Sequence, residues 1–202
     1  MERQDRNELI LEHASALFAE NGIAGTTVRD IAGRAGILSG SLYHYFPSKD
    51  AIADHIVMHY LDALIARYRA ILADGDEPRT ALTRLATASI RVSRMHAHAS
   101  TIYQRETGYL RQLPSHEAIR AAARTIRETW ESVLARGAAT QAFRDDLPIP
   151  LLYVLIRDAV WLTPRAVIPT AEDGHDIAEA IISVFLDGIT VRPDGTDERH
   201  SR

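Results

Sequence analysis

The chain has 202 residues, 46% of them hydrophobic and 25% charged, which is typical of one compact globular unit or of two small units sharing a core. Its 27 acidic residues outnumber 23 lysines and arginines, and this net charge of −4 argues against a uniformly basic nucleic-acid coat protein. The absence of cysteine excludes disulfide scaffolds, cysteine-based zinc sites and thiol nucleophiles. No apolar run approaches the roughly 18 residues of a membrane span, and no signal-peptide core follows the charged residues 1–6. We therefore expect a cytoplasmic protein without membrane contact.

The chain is predicted to be all-α, because strand-like alternation is nearly absent and its glycines and prolines cluster at breaks. We expect Gly22 to end the first helix, Thr27 and Asp30 to form a capping box on the second, and Ser48 to cap the fourth. The apolar spacing predicts about nine helices, over residues 7–21, 27–36, 38–45, 48–73, 79–98, 100–112, 115–137, 147–163 and 173–190.

Residues 26–46 carry the most informative pattern in the chain. Two short predicted helices flank a turn with the spacing of a helix-turn-helix. Ala32 is small enough for the two helices to approach closely, and Gly36 gives the turn its backbone freedom. The outward residues of the second helix are short or amphipathic, so they suit a major groove, where they would contact bases or phosphates: Ser39, Gly40, Ser41, Tyr43 and His44.

Lys49, the only lysine of the chain, supports this interpretation. It lies in the first turn of a predicted helix, where the helix dipole disfavours a cation. A phosphate held jointly by Lys49 and the first amides of that helix would explain its position. The alternatives are a merely solvated Lys49 and a Tyr43 that belongs to the core. Residues 1–50 hold five basic and seven acidic residues, a net charge of −2, so DNA binding would depend on local geometry and on dimerisation.

Residues 5–52 resemble the DNA-binding domain of TetR-type one-component repressors. The resemblance is carried by the pattern Thr-Val-x-x-Ile-Ala-x-x-Ala-Gly, followed by Ser/Gly-x-Leu-Tyr-x-x-Phe-x-x-Lys. It implies a homodimer that binds a palindromic operator in double-stranded DNA and lets go when a small ligand enters its C-terminal domain. The DNA contacts that it implies are Thr27 and Lys49 to phosphate, Tyr43 and His44 to the backbone, and Ser39, Gly40 and Ser41 to bases.

The resemblance also has a departure and implies a division of the chain. Leu38 stands where the family often has serine or threonine, and Ser39 stands where it often has lysine or arginine. These two changes affect the cap of the recognition helix and its base preference. We expect a helix-turn-helix domain over 1–50, a ligand-binding and dimerisation domain over 51–191, and a disordered polar tail over 192–202.

The C-terminal body contains a predicted helix over 151–163 that is apolar nearly all round, so we expect it to be buried. Arg157 and Trp161 are four residues apart and share a face of this helix. A buried arginine needs a partner, which is either a carboxylate elsewhere or an anionic ligand with Trp161 as an apolar wall. Asp158 is adjacent to Arg157 and is expected to point elsewhere.

Three other groups in the body have both a functional and an ordinary interpretation. Tyr103 and Gln104 either offer hydrogen bonds in a ligand pocket or belong to the surface or core. Arginines that recur at helical spacing either are solvated or receive the phosphates of a nucleotide-bearing ligand; they are Arg120, Arg124 and Arg127. The last two helices either form a four-helix dimer interface or a monomer core, through Ile177, Ile181, Val184, Phe185 and Gly188.

Scattered segments are similar to one subgroup of the TetR family, the second cholesterol-catabolism repressors of sterol-degrading bacteria. They are residues 36–44, Ile102-Tyr103-Gln104-x-Glu106, Trp130-x-x-Val133-Leu134 and Tyr153-x-x-Ile156-Arg157-Asp158-x-x-Trp161. This resemblance implies an effector that is a CoA thioester of a steroid-ring fragment, with Arg157 and Trp161 as effector residues. A related member would sense another acyl-CoA.

Other classes of protein find little support. His55 and His59 have metal-ligand spacing, but no glutamate follows His55 as a zinc protease needs, so we expect surface histidines and no metal. There is no glycine-rich phosphate loop and no nucleophile elbow, so we expect neither an enzyme nor a cofactor. A TetR-type repressor of a non-CoA apolar ligand, such as a drug or metabolite, is one alternative. A helical ligand-binding protein without DNA affinity is another, although Thr27, Tyr43 and Lys49 speak against it.

Overall fold

The computed structural model describes residues 3–162 and 175–189, and its helices confirm the all-α expectation. No strand occurs within these residues, and none of their helices is long and apolar enough to cross a membrane. The described ranges contain ten helices, namely α1 (Arg3–Asn21), α2 (Val28–Arg34), α3 (Ser39–Leu42), α4 (Lys49–Ala73), α5 (Pro78–Met95), α6 (Ala97–Arg105), α7 (Thr107–Leu110), α8 (His116–Ala139), α9 (Ile149–Leu162) and α10 (His175–Ile189). The tail predicted over 192–202 lies outside the described residues.

The local stop and start signals of the first fifty residues are confirmed. Gly22 follows α1 with φ +77°, a left-handed conformation that glycine adopts without a steric penalty. The capping box on α2 is reciprocal: the Asp30 amide donates to Thr27 Oγ1 at 3.2 Å, and the Thr27 amide donates to Asp30 Oδ2 at 2.9 Å. Ser48 Oγ accepts a bond of 3.0 Å from the amide of Ala51.

Two stretches differ from the predicted boundaries. The middle of the chain breaks at His96 and Glu106, where the backbone leaves helical geometry, so two predicted helices become α5, α6 and α7. The recognition helix α3 is shorter than the predicted 38–45. Its first flanking residue, Leu38, makes no side-chain cap bond. Beyond Leu42 the amides of His44 and Tyr45 bond back only three residues, the tighter pattern that ends many helices.

The chain divides into two compact units. The first consists of Met1–Arg67 and Arg91–Ile126, and the second of Tyr68–Ile90 and Arg127–Arg202. The predicted division at residue 50 remains a prediction.

In the first unit the apolar stripe of α1 is buried, as the sequence predicts, and Tyr60 shares a 3.0 Å hydrogen bond with Ser93. In the second unit Tyr68 meets Trp130 edge to face at 6.2 Å and shares a 2.6 Å hydrogen bond with Ser89. Each unit therefore buries a tyrosine whose hydroxyl is satisfied by a serine of α5.

Gly137, in the last turns of α8, gives the second unit a close contact that no larger residue allows. The ring of Phe143 is almost fully buried and lies so near Gly137 that an added Cβ would overlap it. Gly33 in α2 is the opposite case, because a Cβ there would meet no atom within 4 Å.

We expect Gly137→Ala to destabilise the protein by about 1–3 kcal/mol, because the extra methyl overpacks the site. The control Gly33→Ala is expected to stabilise it by about 0.5–1 kcal/mol, the usual gain for alanine inside a helix. Urea unfolding followed by circular dichroism measures both changes. Equal midpoints for the two variants would contradict the proposed packing.

Candidate DNA-binding and effector sites

The surface of α3 fits the predicted DNA contacts. The core expected for the two short helices consists of Ile31, Ile37 and Leu42; Ile31 and Leu42 are completely buried, whereas Ile37 is half-buried. Tyr43 is 55% exposed, which excludes its interpretation as a core tyrosine. Of the other predicted contacts on this surface, Gly40 and His44 are exposed, and Ser39 and Ser41 are half-buried. The residues expected to meet DNA are thus accessible in the protomer.

Thr27 has its hydroxyl engaged at the start of α2. Besides accepting from the Asp30 amide, its Oγ1 donates to Asp30 Oδ2 at 2.6 Å. This hydroxyl bond, followed by the backbone bond from Thr27, lowers the pKa of Asp30. Contact between Thr27 and a phosphate remains a prediction.

Lys49 makes a contact that the sequence did not predict. Its Nζ donates to the backbone oxygens of Ile23 at 2.6 Å and of Thr26 at 2.8 Å. The alternative of a merely solvated lysine is therefore wrong, while contact with a phosphate remains a prediction. The ammonium occupies the loop between α1 and α2, where buried carbonyl groups require donors.

Thr26 has a second structural role in this loop that the sequence did not predict. It is almost completely buried, and its Oγ1 donates to the carbonyl of Gly22 at 2.9 Å. Together the hydroxyl of Thr26 and the ammonium of Lys49 donate to three carbonyl groups of the loop, those of Gly22, Ile23 and Thr26. The signal that the sequence offered was a second threonine directly before the predicted cap, Thr27.

The helix α7 is bonded to the first turn of α4. Tyr109 donates from its hydroxyl to Asp50 Oδ1 at 2.6 Å, and Lys49 Nζ lies 5.7 Å from the centre of the Tyr109 ring. Burial, together with the neighbouring Asp50 carboxylate, raises the pKa of Tyr109 to about 12, so the hydroxyl keeps its proton. One turn further along α4, Asp54 accepts a hydrogen bond from Ser115. The segment after α6 therefore holds the start of α4, which carries Lys49.

Arg157 has a different partner from the one expected. The expectation that Asp158 points away from Arg157 is wrong, because Arg157 Nε donates to Asp158 Oδ1 at 2.8 Å. Neighbouring residues of a helix diverge at Cβ, yet the long arginine side chain folds back over the gap. The guanidinium also lies 5.5 Å from the centre of the Tyr153 ring, within cation–π range. The side chain of Arg157 is half-buried and that of Asp158 is exposed.

The remaining predicted effector residues lie in different units. Trp161 is half-buried in α9 of the second unit. Tyr103 and Gln104 belong to α6 of the first unit, where the Tyr103 ring centre lies 6.1 Å from that of Tyr60. Gln104 Nε2 donates to Ser100 Oγ at 3.0 Å. Their contact with a ligand remains a prediction.

The expectation that α9 is buried all round is wrong for a single protomer. Leu151, Val154 and Leu155 are exposed, whereas the opposite face of the helix is buried. In α10, Val184 is 73% exposed, but Ile177, which was predicted at a dimer interface, is buried in the protomer. Ile181 and Phe185 are half-buried, and Gly188 lies outside the residues whose burial is described.

Histidines gather at an open cleft of about 490 Å³ within the first unit. The ring centres of His55 and His59 are 6.4 Å apart, and those of His59 and His96 are 5.2 Å apart. Burial and then the neighbouring His59 lower the pKa of His96. Among the described residues, no three histidine, aspartate or glutamate side chains are arranged to hold a metal ion.

Known proteins resemble this chain along nearly its whole length. Residues 10–56 match the profile of bacterial regulatory proteins of the tetR family. The HTH-type transcriptional repressor KstR2 of Mycobacterium tuberculosis H37Rv is 40% identical over 186 residues, which cover 92% of each protein. KstR2 of Rhodococcus jostii is 37% identical over 188 residues, which cover 93% of this chain and 92% of that protein.

A solved structure agrees with these sequence matches. The ketosteroid transcriptional regulator KstR2 of Mycobacterium tuberculosis superposes with a TM-score of 0.85 at 38% identity, covering 95% of this chain and 98% of the other. Similarity of this extent shows that the protein belongs to the tetR family of bacterial regulatory proteins and is a transcriptional repressor, not an enzyme.

Proposed function

We propose that this repressor binds a palindromic operator as a homodimer and is released by a CoA thioester from sterol or fatty-acid catabolism. The observation that carries the effector assignment is the environment of Arg157. Its guanidinium is half-buried beside an aromatic ring and is paired with an exposed carboxylate on the next residue. An ion pair this exposed contributes little to stability, so an anionic ligand can displace Asp158 at small cost.

Operator contacts are assigned to the exposed surface of the helix-turn-helix. Phosphate contacts fix the position of the domain, and contacts to base edges select the sequence. Thr27 and Lys49 are assigned to phosphate, Tyr43 and His44 to the DNA backbone, and Ser39, Gly40 and Ser41 to bases. Because bacterial operators lie in the cytoplasm, we infer that the protein is cytoplasmic.

Lys49 can act by contacting a DNA phosphate or by holding the loop at Ile23 and Thr26, and the salt dependence of operator binding separates these two roles. In Lys49→Met we expect weaker operator binding, and a slope of log affinity against log salt smaller by about 1.8 for a dimer, since each phosphate contact contributes about 0.9. Fluorescence anisotropy over a salt series measures the slope. Arg34→Met is the matched control, because Arg34 is an exposed cation of α2 that pairs with Glu20 at 3.2 Å. Weaker binding with an unchanged slope and a lower melting midpoint would mean that Lys49 acts only through the Ile23–Thr26 loop.

The dimer is assigned to the last two helices. Leu151, Val154 and Leu155 recur at the spacing of one helical stripe on α9, and exposed Val184 lies on α10. Monomeric proteins rarely expose a continuous stripe of this kind. A symmetric dimer formed on these helices would remove the stripe from water and give a four-helix interface.

We expect Leu155→Glu to produce monomers, because two charges would be buried on a symmetric interface. Sedimentation velocity measures the oligomeric state, and operator binding should fall with it. Glu179→Gln, an exposed polar change on α10, is the control. A Leu155→Glu protein that remains dimeric would place the interface elsewhere.

The assignment of a CoA thioester has support from similar proteins. The KstR2 structure described above is that of a ketosteroid transcriptional regulator. AibR, a fold neighbour at 19% identity and TM-score 0.77, was solved with isovaleryl coenzyme A and operator DNA. That complex shows that the fold can hold an acyl-CoA and operator DNA. For this chain, Arg157 would hold an anionic group and Trp161 would supply an apolar wall, while Tyr103 and Gln104 are proposed as further contacts from α6.

The attachment of α7 to α4 supplies a route for release. Tyr109 follows α6, which carries Tyr103 and Gln104, and it bonds to Asp50 beside Lys49. A ligand that shifts α6 would move this attachment and with it the start of α4. A coupling of only about 1–3 kcal/mol suffices to weaken operator binding between several-fold and about a hundredfold.

The effector is tested by anisotropy of the protein on its upstream DNA with a panel of steroid-derived and fatty acyl-CoA thioesters, their free acids and free CoA. We expect one thioester to release the protein while its acid and free CoA do not. Arg157→Met should bind DNA normally but need far more thioester. Asp158→Asn, which removes the competing carboxylate, should need less.

Each result decides a separate point. If every member of the panel leaves DNA binding unchanged, the CoA assignment fails in favour of another apolar effector. If Arg157→Met responds like the unmodified protein, then Arg157 is structural. If the protein binds no DNA, it is a helical ligand-binding protein instead.

A further inference from the structure

Leu38, the residue before α3, has two features that packing within the protomer does not explain: its side chain is exposed, and it does not cap the helix. Its side chain is 80% exposed, whereas Leu42, four residues later, is completely buried. The backbone at Leu38 is extended, with φ −71° and ψ 143°, and its side chain makes no cap bond to α3. The position therefore exposes a large apolar group and also gives up the hydrogen bond that serine or threonine would supply.

Both features act against the stability of the isolated protein. Serine, threonine, asparagine and aspartate are strongly preferred before a helix, and leucine is among the poor choices. Single exposed apolar residues are common, but this one coincides with the cap of the helix that reads the operator. A contact made only in the complex explains both features.

The chemistry of leucine restricts what that contact is. Its side chain neither donates nor accepts a hydrogen bond, so it adds nothing to a phosphate or to the polar edge of a base. The apolar group that distinguishes base pairs in the major groove is the C5-methyl of thymine. We propose that Leu38 selects a thymine in each operator half-site by packing against this methyl group. The proposal rests on the proposed operator binding by α3.

The surroundings of Leu38 allow a close approach of DNA. Gly40 is exposed, and a Cβ added there would meet no protein atom within 4 Å. Packing within the protein therefore does not require a glycine at this position. A glycine does let the backbone of α3 come close to a base edge, which would bring Leu38 to the floor of the groove.

The test removes one methyl group at a time. An operator is first obtained by in vitro selection with the full-length protein, and each thymine of a half-site is then replaced by deoxyuridine, symmetrically in both halves. Affinities of the unmodified protein, Leu38→Ala and Met95→Ala are measured by anisotropy at one salt concentration. Met95 is the control, because it is similarly exposed but lies at the end of α5, outside the helix-turn-helix.

We expect one thymine position at which deoxyuridine weakens binding by the unmodified protein and by Met95→Ala about fourfold per half-site, the equivalent of ~0.8 kcal/mol for one buried methyl. At that position Leu38→Ala should be insensitive to the replacement. It should also bind the unmodified operator more weakly while keeping its melting midpoint, because Leu38 is exposed.

The proposal is overturned if replacing each thymine by deoxyuridine weakens binding of Leu38→Ala as much as binding of the unmodified protein. It is also overturned if no such replacement changes the affinity of either protein. Those results differ from failure of the proposed function, in which the selection yields no operator.

Discussion

The ammonium of Lys49 joins the start of α4 to the loop between α1 and α2. It donates to the carbonyls of Ile23 and Thr26 from the first turn of α4, so the start of that helix is bonded to the loop that precedes α2. A hydrogen bond from a charged donor contributes about 1.5–3 kcal/mol. This side chain therefore helps to fix α2 relative to the start of α4, and it links a shift of α4 to the loop.

The same turn of α4 receives contacts from the opposite direction along the chain. Asp50 accepts from Tyr109, and Asp54 accepts from Ser115. The ordinary pKa of a tyrosine already lies above physiological pH, and burial beside the Asp50 carboxylate raises the pKa of Tyr109 to about 12, so this donor keeps its proton. The first turns of α4 are thus bonded to the loop before α2 through Lys49, and to α7 and the residue that precedes α8 through Asp50 and Asp54. This arrangement suits a repressor whose effector binds away from its DNA.

The sequence predicted features that depend on neighbouring residues. The reciprocal bonds of Thr27 and Asp30, the left-handed Gly22 and the cap at Ser48 each involve groups within four residues. Contacts between distant residues were missed: nothing local links Asp50 to Tyr109, which are 59 residues apart. Periodicity also failed at α9, because a stripe of leucine and valine looks alike whether it meets its own core or another copy. The pairing of Arg157 with Asp158 was missed because it depends on the conformation of the arginine side chain, which helical spacing does not predict.

The proposed role of the exposed α9 stripe in dimerisation has a consequence for how repression depends on the amount of protein. If Leu151, Val154 and Leu155 are covered only when two protomers meet, the concentration of pairs varies as the square of the protomer concentration wherever single chains predominate. Operator occupancy then responds more steeply than in proportion to synthesis. A cell that doubles its volume without making more of this protein would halve the protomer concentration and, in that regime, lose about three-quarters of the concentration of pairs. Derepression could thus begin by dilution alone, before any effector accumulates.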